Sequence, residues 1–299
     1  MSEPKLHHYV PQFYLKRFAD ERGRVWVWDK LTRKVYRAAP SGISAQTHFY
    51  RVPEFIGTDV DPLFLEKDLS ALEGDAASIW GSVMGQLEAL QPQQKLTMPD
   101  EERHVISTFI AVQFLRSAEQ RDILALFSAE CGAYAQVPAP DEQINLHAQM
   151  LCSGGLVEAI TKRVHASIWV YARNGSDTPL WTSDNPVAFK TGDNRMWLKG
   201  PGIFQRGTYV VFPLSPKYVL YCKEPEHWSK LAKFESSLSP VLLDSDMVKH
   251  ENAGQVFMAT RHVVSTTDDF AWADEFAATI GTDTYAPDDT SSADEAENT

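Results

Sequence analysis

From Leu65 to Leu90 the chain repeats apolar residues in a rhythm that commits this stretch to one structure. Leu65, Leu69, Leu72, Ala76, Ile79, Val83, Leu87 and Leu90 are spaced by three or four residues. At roughly 100° per residue they fall within about 40° of a single line, which is the pattern of an amphipathic helix. Asp61-Pro62 reads as its start, an N-cap aspartate with proline at the first helical position, and Gln91-Pro92 as its end. A second helix is expected from the capping box at Thr97-Met98-Pro99-Asp100 to about Ala129. A third covers Asp141 to Met150, and after the Gly154-Gly155 break a short one runs to about Val164.

On either side of this helical centre the pattern changes to strands. Val25-Trp26-Val27-Trp28, a turn over 29–33 and Lys34-Val35-Tyr36 read as a hairpin, with a third short strand at His48 to Val52. Beyond residue 165, Ile168 to Tyr171, Leu180 to Thr182, Tyr209 to Phe212 and Tyr218 to Tyr221 are short, aromatic and bounded by Gly, Pro or Asn. A long final helix is expected from the Asp244-Ser245-Asp246 cap to about Val263. The elements do not alternate finely enough for a doubly wound sheet. The expected class is α+β, with a β-rich N-terminal segment, a central helical bundle, C-terminal antiparallel strands and the final helix. Residues 1–282 read as one domain and 283–299 as a disordered acidic tail.

A 43% apolar share and eight tryptophans mark an ordinary globular protein. No apolar run approaches the ~20 residues of a membrane span, and no apolar segment of signal-peptide type follows Met1-Ser2-Glu3-Pro4-Lys5. Cys131, Cys152 and Cys222 are odd in number and widely spaced, which fits reduced thiols in a cytoplasm and offers no zinc spacing. The net charge of −12 argues against broad binding to nucleic acid. It is uneven, however: six acids and no base lie between Asp283 and Thr299, while the first 37 residues hold nine Lys/Arg against four Asp/Glu. A local basic surface near the N-terminus is therefore compatible with an acidic protein. Gly-rich phosphate loops, Gly-x-Ser-x-Gly and His-Glu-x-x-His are all absent, which weighs against NTPase, α/β-hydrolase and zinc-protease readings.

Four segments place polar residues where apolar ones belong. The opening run Leu6-His7-His8-Tyr9-Val10-Pro11-Gln12-Phe13-Tyr14-Leu15 sets two imidazoles in an aromatic arm that should dock on the body. That docking brings His7 or His8 with it, and a docked neutral His can ligate a metal or act as general base, or simply pack. On the helix after Pro99, Gln113, Arg116 and Gln120 fall inside the apolar arc of Val105, Ile106, Phe109, Ile110 and Val112. A buried arginine needs a carboxylate, a row of carbonyls or an anionic ligand, and Glu66 or Glu73 flanking the leucine stripe could supply the first. Trp181-Thr182-Ser183-Asp184-Asn185-Pro186-Val187 puts Asp184 at a strand mouth, either as a ligating carboxylate or as plain turn punctuation. Asn252 lies among Val248, Val256, Ala259 and Val263 on the last helix, where its amide must be hydrogen-bonded to another element or to a ligand.

His7 to Leu15, Ser183-Asp184-Asn185-Pro186-Val187 and Pro213-Leu214-Ser215-Pro216 together closely resemble the bacterial domain-of-unknown-function family 4238. Gln113-Phe114-Leu115-Arg116 and Asn252 also sit where that family tends to carry polar residues, and the likeness extends from about residue 5 to 265. The resemblance carries no established activity. It implies an intracellular bacterial protein with a site assembled from distant segments, for which His8, Gln113, Arg116, Asp184, Asn185 and Asn252 are the candidate constellation.

Three functions follow as expectations. The first is a metal-assisted phosphodiesterase or nuclease, with His8 and Asp184 as catalytic groups and ligands of a divalent metal ion, and with Arg116, Gln113, Asn185 and Asn252 binding a nucleotide or nucleic-acid substrate. The second is a non-catalytic module for a nucleotide or small anion in a defence or conflict system. The third is structural, the polar cluster locking the N-terminal arm to the helices. A site of either of the first two kinds requires the N-terminal imidazole, the Arg116 guanidinium and the Asp184 carboxylate to meet in one cavity.

Overall fold

A computed structural model of the chain describes residues 6–134 and 136–279. The expected acidic tail at 283–299 lies outside them. The N-terminal segment contains β1 (Leu6–His8), the short α1 (Gln12–Leu15), the hairpin of β2 (Val25–Asp29) and β3 (Lys34–Ala38), and β4 (Ala45–Thr47). Next come α2 (Phe64–Ala89), α3 (Asp100–Leu115), α4 (Ala118–Glu130), α5 (Pro140–Cys152) and α6 (Gly155–His165). The strands β5 (Ile168–Arg173), β6 (Thr182–Ser183), β7 (Ala188–Lys190), β8 (Trp197–Leu198), β9 (Tyr209–Ser215), β10 (Tyr218–Lys223) and β11 (Ser237–Leu238) follow. The described chain closes with α7 (Ser245–Met258), β12 (His262–Ser265) and α8 (Ala271–Thr279). The fold is α+β, and no helix among the described residues is long and apolar enough to cross a membrane.

Among the described residues the strands form three sheets. The largest has the order β11-β5-β10-β9-β7-β8, antiparallel except where β11 runs parallel to β5. A four-stranded sheet has the order β3-β2-β12-β6, and β1 pairs with β4. Strand β9 is buried along its whole length, so successive side chains enter opposite layers. Phe212 meets Trp80 of α2, Phe109 of α3 and Tyr14 of α1, and the Tyr218 hydroxyl donates to Leu87 O at 3.0 Å. The opposite face carries Tyr209, Tyr221 and Lys223, and it is there that α7 lies.

Several element boundaries differ from the sequence expectation for local reasons. Asp61 is not an N-cap: its Oδ1 accepts from Leu63 N at 2.9 Å in a turn ahead of α2, which begins at Phe64. The helix expected from residue 97 to about 129 is two helices, because Ser117 caps a fresh start by accepting from Gln120 N at 3.3 Å. Residues 48–50 form a turn rather than a strand. The final helix stops at Met258, and His262–Ser265 pairs between β2 and β6 as a strand. Helix α8 beyond it was not foreseen.

Candidate functional site

Alternation along β1 turns His7 into the core and His8 outward. The buried His7 Nδ1 accepts from Tyr50 N at 2.9 Å and lies 3.8 Å from Glu66 Oε2. His8 instead faces an open groove of about 420 Å³ shared with Gln12, Glu66, Ser70 and Glu73, its Nε2 3.1 Å from Ser41 O. Arg116 is the C-cap of α3 and is almost wholly buried. Its Nε donates to Tyr9 O at 3.0 Å, and one terminal nitrogen donates to His8 O at 2.9 Å and to Glu73 Oε1 at 2.8 Å. Gln113 Nε2 reaches the same Tyr9 carbonyl at 2.9 Å, while its buried Oε1 has no hydrogen-bond partner among the described residues. The guanidinium thus finds both a carboxylate and carbonyls, all of them within the protein, and the backbone it grips is the N-terminal arm.

Asp184 is held by a different element. Its Oδ1 accepts from Thr260 N at 2.9 Å, and its Oδ2 from Arg261 N at 2.8 Å and His262 N at 2.9 Å. Burial pushes this carboxyl up from its ordinary value, while the His262 ring and the three amides act the other way. Asn185 Nδ2 donates to Glu119 Oε2 at 2.9 Å, and Glu119 Oε1 accepts from Lys199 Nζ at 2.5 Å. The Asn185 Oδ1 is buried without a partner among the described residues. Asn252 accepts from Trp181 N at 2.8 Å and donates to Pro179 O at 2.9 Å, tying α7 to the segment before β6.

Of the six residues, the structure brings His8, Gln113 and Arg116 together around the arm. Asp184 and Asn185 lie at the smaller sheet and α4, and Asn252 lies on α7. Tyr9 links the first two groups, since its carbonyl takes the Gln113 and Arg116 bonds and its phenol is raised by burial and by the charge of Asp184. Among the described residues no three His, Cys, Asp or Glu side chains are grouped so as to hold a metal ion. Among these residues the groove beside His8 is lined without Asp184, whose oxygens instead accept from the backbone N–H groups of 260–262.

A second cavity, of about 440 Å³, lies between α7 and the larger sheet, lined by Lys190, Tyr209, Tyr221, Lys223, His250 and Glu251 among others. Lys190 stands directly opposite Tyr209 in the β7–β9 ladder. Its Nζ donates to Glu251 Oε1 at 3.1 Å and lies 4.7 Å from the Trp197 ring. A Cβ on Gly254 of α7 would sit 2.5 Å from that same indole, so only glycine lets the helix and Trp197 approach this closely. Glu251 is 8% exposed and lies within hydrogen-bonding reach of the Tyr221 phenol, while among the described residues its Oε2 has no partner of good geometry. Lys223 Nζ sits 3.1 Å from the Tyr209 ring centre, 4.1 Å from Trp228 and 5.4 Å from Tyr221. Among the described residues it makes no hydrogen bond or ion pair. Burial, reinforced by the neighbouring Lys190 charge and opposed by Glu251, pushes the Lys223 amine down to about 7. Burial and the Glu251 charge push the Tyr221 phenol well up.

None of the cavity's titratable groups stood out in the sequence. The signal was there in part: extending the strand two residues past Tyr221 puts Lys223 on the face of Tyr221 by alternation. Glu251 lies one turn from the buried Val248 on α7. Lys190 had no such cue, because β7 is only three residues long.

The fold and its pockets define an α+β protein in which a buried and a half-buried amine, two phenols and a buried carboxylate converge against one face of the larger sheet. The chain belongs to the family described as protein of unknown function (DUF4238), whose model matches residues 6–269. No curated protein and no solved structure matches the chain.

Proposed function

We propose that the protein is a binding module for a small anionic ligand, taken into the cavity between α7 and the larger sheet. The observation that carries this reading is Lys223, a cation on the cavity wall with aromatic neighbours and, among the described residues, no carboxylate paired to it. An anion entering beside it supplies the missing counter-charge, and Tyr209 and Tyr221 offer ring faces to a flat group such as a nucleobase. A reducing, cytoplasmic setting goes with this reading, since Cys131, Cys152 and Cys222 are all free thiols. Phosphodiester hydrolysis at His8 and Asp184 draws less support, because the Asp184 oxygens already accept three amides.

The test is a thermal-shift series on the full chain with inorganic phosphate, nucleoside mono- and diphosphates and small carboxylates, with and without Mg²⁺ or Mn²⁺. A ligand of the native state must raise Tm. The expected result is a rise with one class of anion, lost in Lys223→Met and kept in His8→Ala. The rise should grow as pH falls through about 7, where Lys223 takes up its proton. A rise that requires Mn²⁺, vanishes in Asp184→Asn and survives Lys223→Met would favour the hydrolase instead. No response to any anion would overturn the proposal.

A further inference from the structure

We infer that the Lys223 amine forms a reversible imine with a small 2-oxo acid or aldehyde carried by this cavity, an inference that rests on the cavity being the ligand site proposed above. The geometry comes first. The half-buried Lys223 is fixed at the end of β10, its Nζ packs against the rings of Tyr209, Trp228 and Tyr221, and among the described residues no acceptor holds it. Lys190 lines the same cavity from β7, so two amines face one space. A lysine desolvated among apolar walls beside a second cation is the arrangement that keeps an amine neutral and nucleophilic, and the depressed value of about 7 agrees with it. The third observation is Glu251, more than nine-tenths buried on the cavity wall beside the Tyr221 phenol, its Oε2 without a partner of good geometry among the described residues.

The chemistry closes on these groups. The Lys223 nitrogen lone pair forms a C–N bond to the carbonyl carbon, and the C=O π pair moves to oxygen. Glu251 Oε2 takes one proton from nitrogen and returns it to that oxygen, giving a carbinolamine. The nitrogen's second proton follows the same route as the C–O bond breaks, so one water leaves and the imine remains. A 2-oxo acid adds a carboxylate, which the Lys190 ammonium meets with the donors left over from Glu251.

The experiment is reductive trapping of the full chain with pyruvate or glyoxylate and sodium borohydride, read by intact mass and peptide mapping. One adduct per chain on Lys223 is expected, its rate rising as pH climbs through about 7. This dependence is opposite to that of anion binding. Lys223→Arg, which keeps the cation but cannot form the imine, should abolish trapping while retaining a cooperative melt. Glu251→Gln should slow it roughly 100-fold. Label scattered over exposed lysines, with equal yield in Lys223→Arg, overturns the inference. So does a Tm response to phosphate or carboxylates without any adduct, an outcome that leaves the anion-binding reading standing. Neither adduct nor Tm response overturns both.

Discussion

Arg116 illustrates how far one residue's chemistry can be read before its partners are known. Its place on the apolar arc of a helix demanded counter-charge or carbonyls, and the structure supplies Glu73 together with the carbonyls of His8 and Tyr9. Helical projection could not say that those carbonyls belong to the chain's own N-terminal arm, because that is a contact across more than a hundred residues. Removing the guanidinium strands a carboxylate and two buried acceptors at once. Arg116→Ala is therefore expected to lose about 3 kcal/mol, measured as a lower urea midpoint with an unchanged m-value. A loss below about 0.5 kcal/mol, the scale of an ordinary surface substitution, would mean the clamp is ornamental. Lys223 was illegible for the opposite reason: a charged residue just past a strand's last aromatic looks like solvent-facing punctuation until a helix is laid over it.

At the scale of elements, the sequence was legible where periodicity is long and misleading where it runs on past a break. The stripe of α2 is visible because eight apolar residues agree. No Gly or Pro separates α3 from α4, so the period continues through a boundary made by a single serine cap. At the other end, Val263 keeps helical spacing from Val256 and Ala259 yet lies in β12. The Asp184 carboxylate draws Thr260, Arg261 and His262 N–H groups out of helical register, and Val263-Val264 then pairs with Val27-Trp28. Asp184→Asn replaces one accepting oxygen with a donor facing amides. It should lose about 2 kcal/mol in chemical denaturation, with no change in metal response. Wild-type stability in this variant would remove the junction role assigned to the carboxylate.

For the whole molecule, the docking of the arm makes global stability depend on pH through Glu66. Burial, with Glu73 adding and Arg116 opposing, pushes this carboxyl up to about 7 from an ordinary 4.5. Its raised value means the folded state favours the protonated acid. The stability it contributes is complete below about 4.5 and is lost as pH rises through about 7. Glu66→Gln should match wild type in acid and exceed it above neutrality, as seen in Tm measured across that window; equal melting curves above pH 7 would refute the assignment. Apart from His8, the candidate constellation was legible only as a set of buried polar residues. Their division between the arm clamp, the α7–β12 junction and the α7 tie is set by sheet topology, which short strands of two to four residues do not announce.

The position of β12 between β2 and β6 has a consequence for how the chain is made. An interior strand of the smaller sheet is the last strand among the described residues to leave the ribosome, so the hairpin formed by residues 25–38 must wait through more than two hundred residues of synthesis with its aromatic edge open. A nascent chain cut before His262 would carry that edge exposed, a ready substrate for holdase chaperones and for pairing with its neighbours.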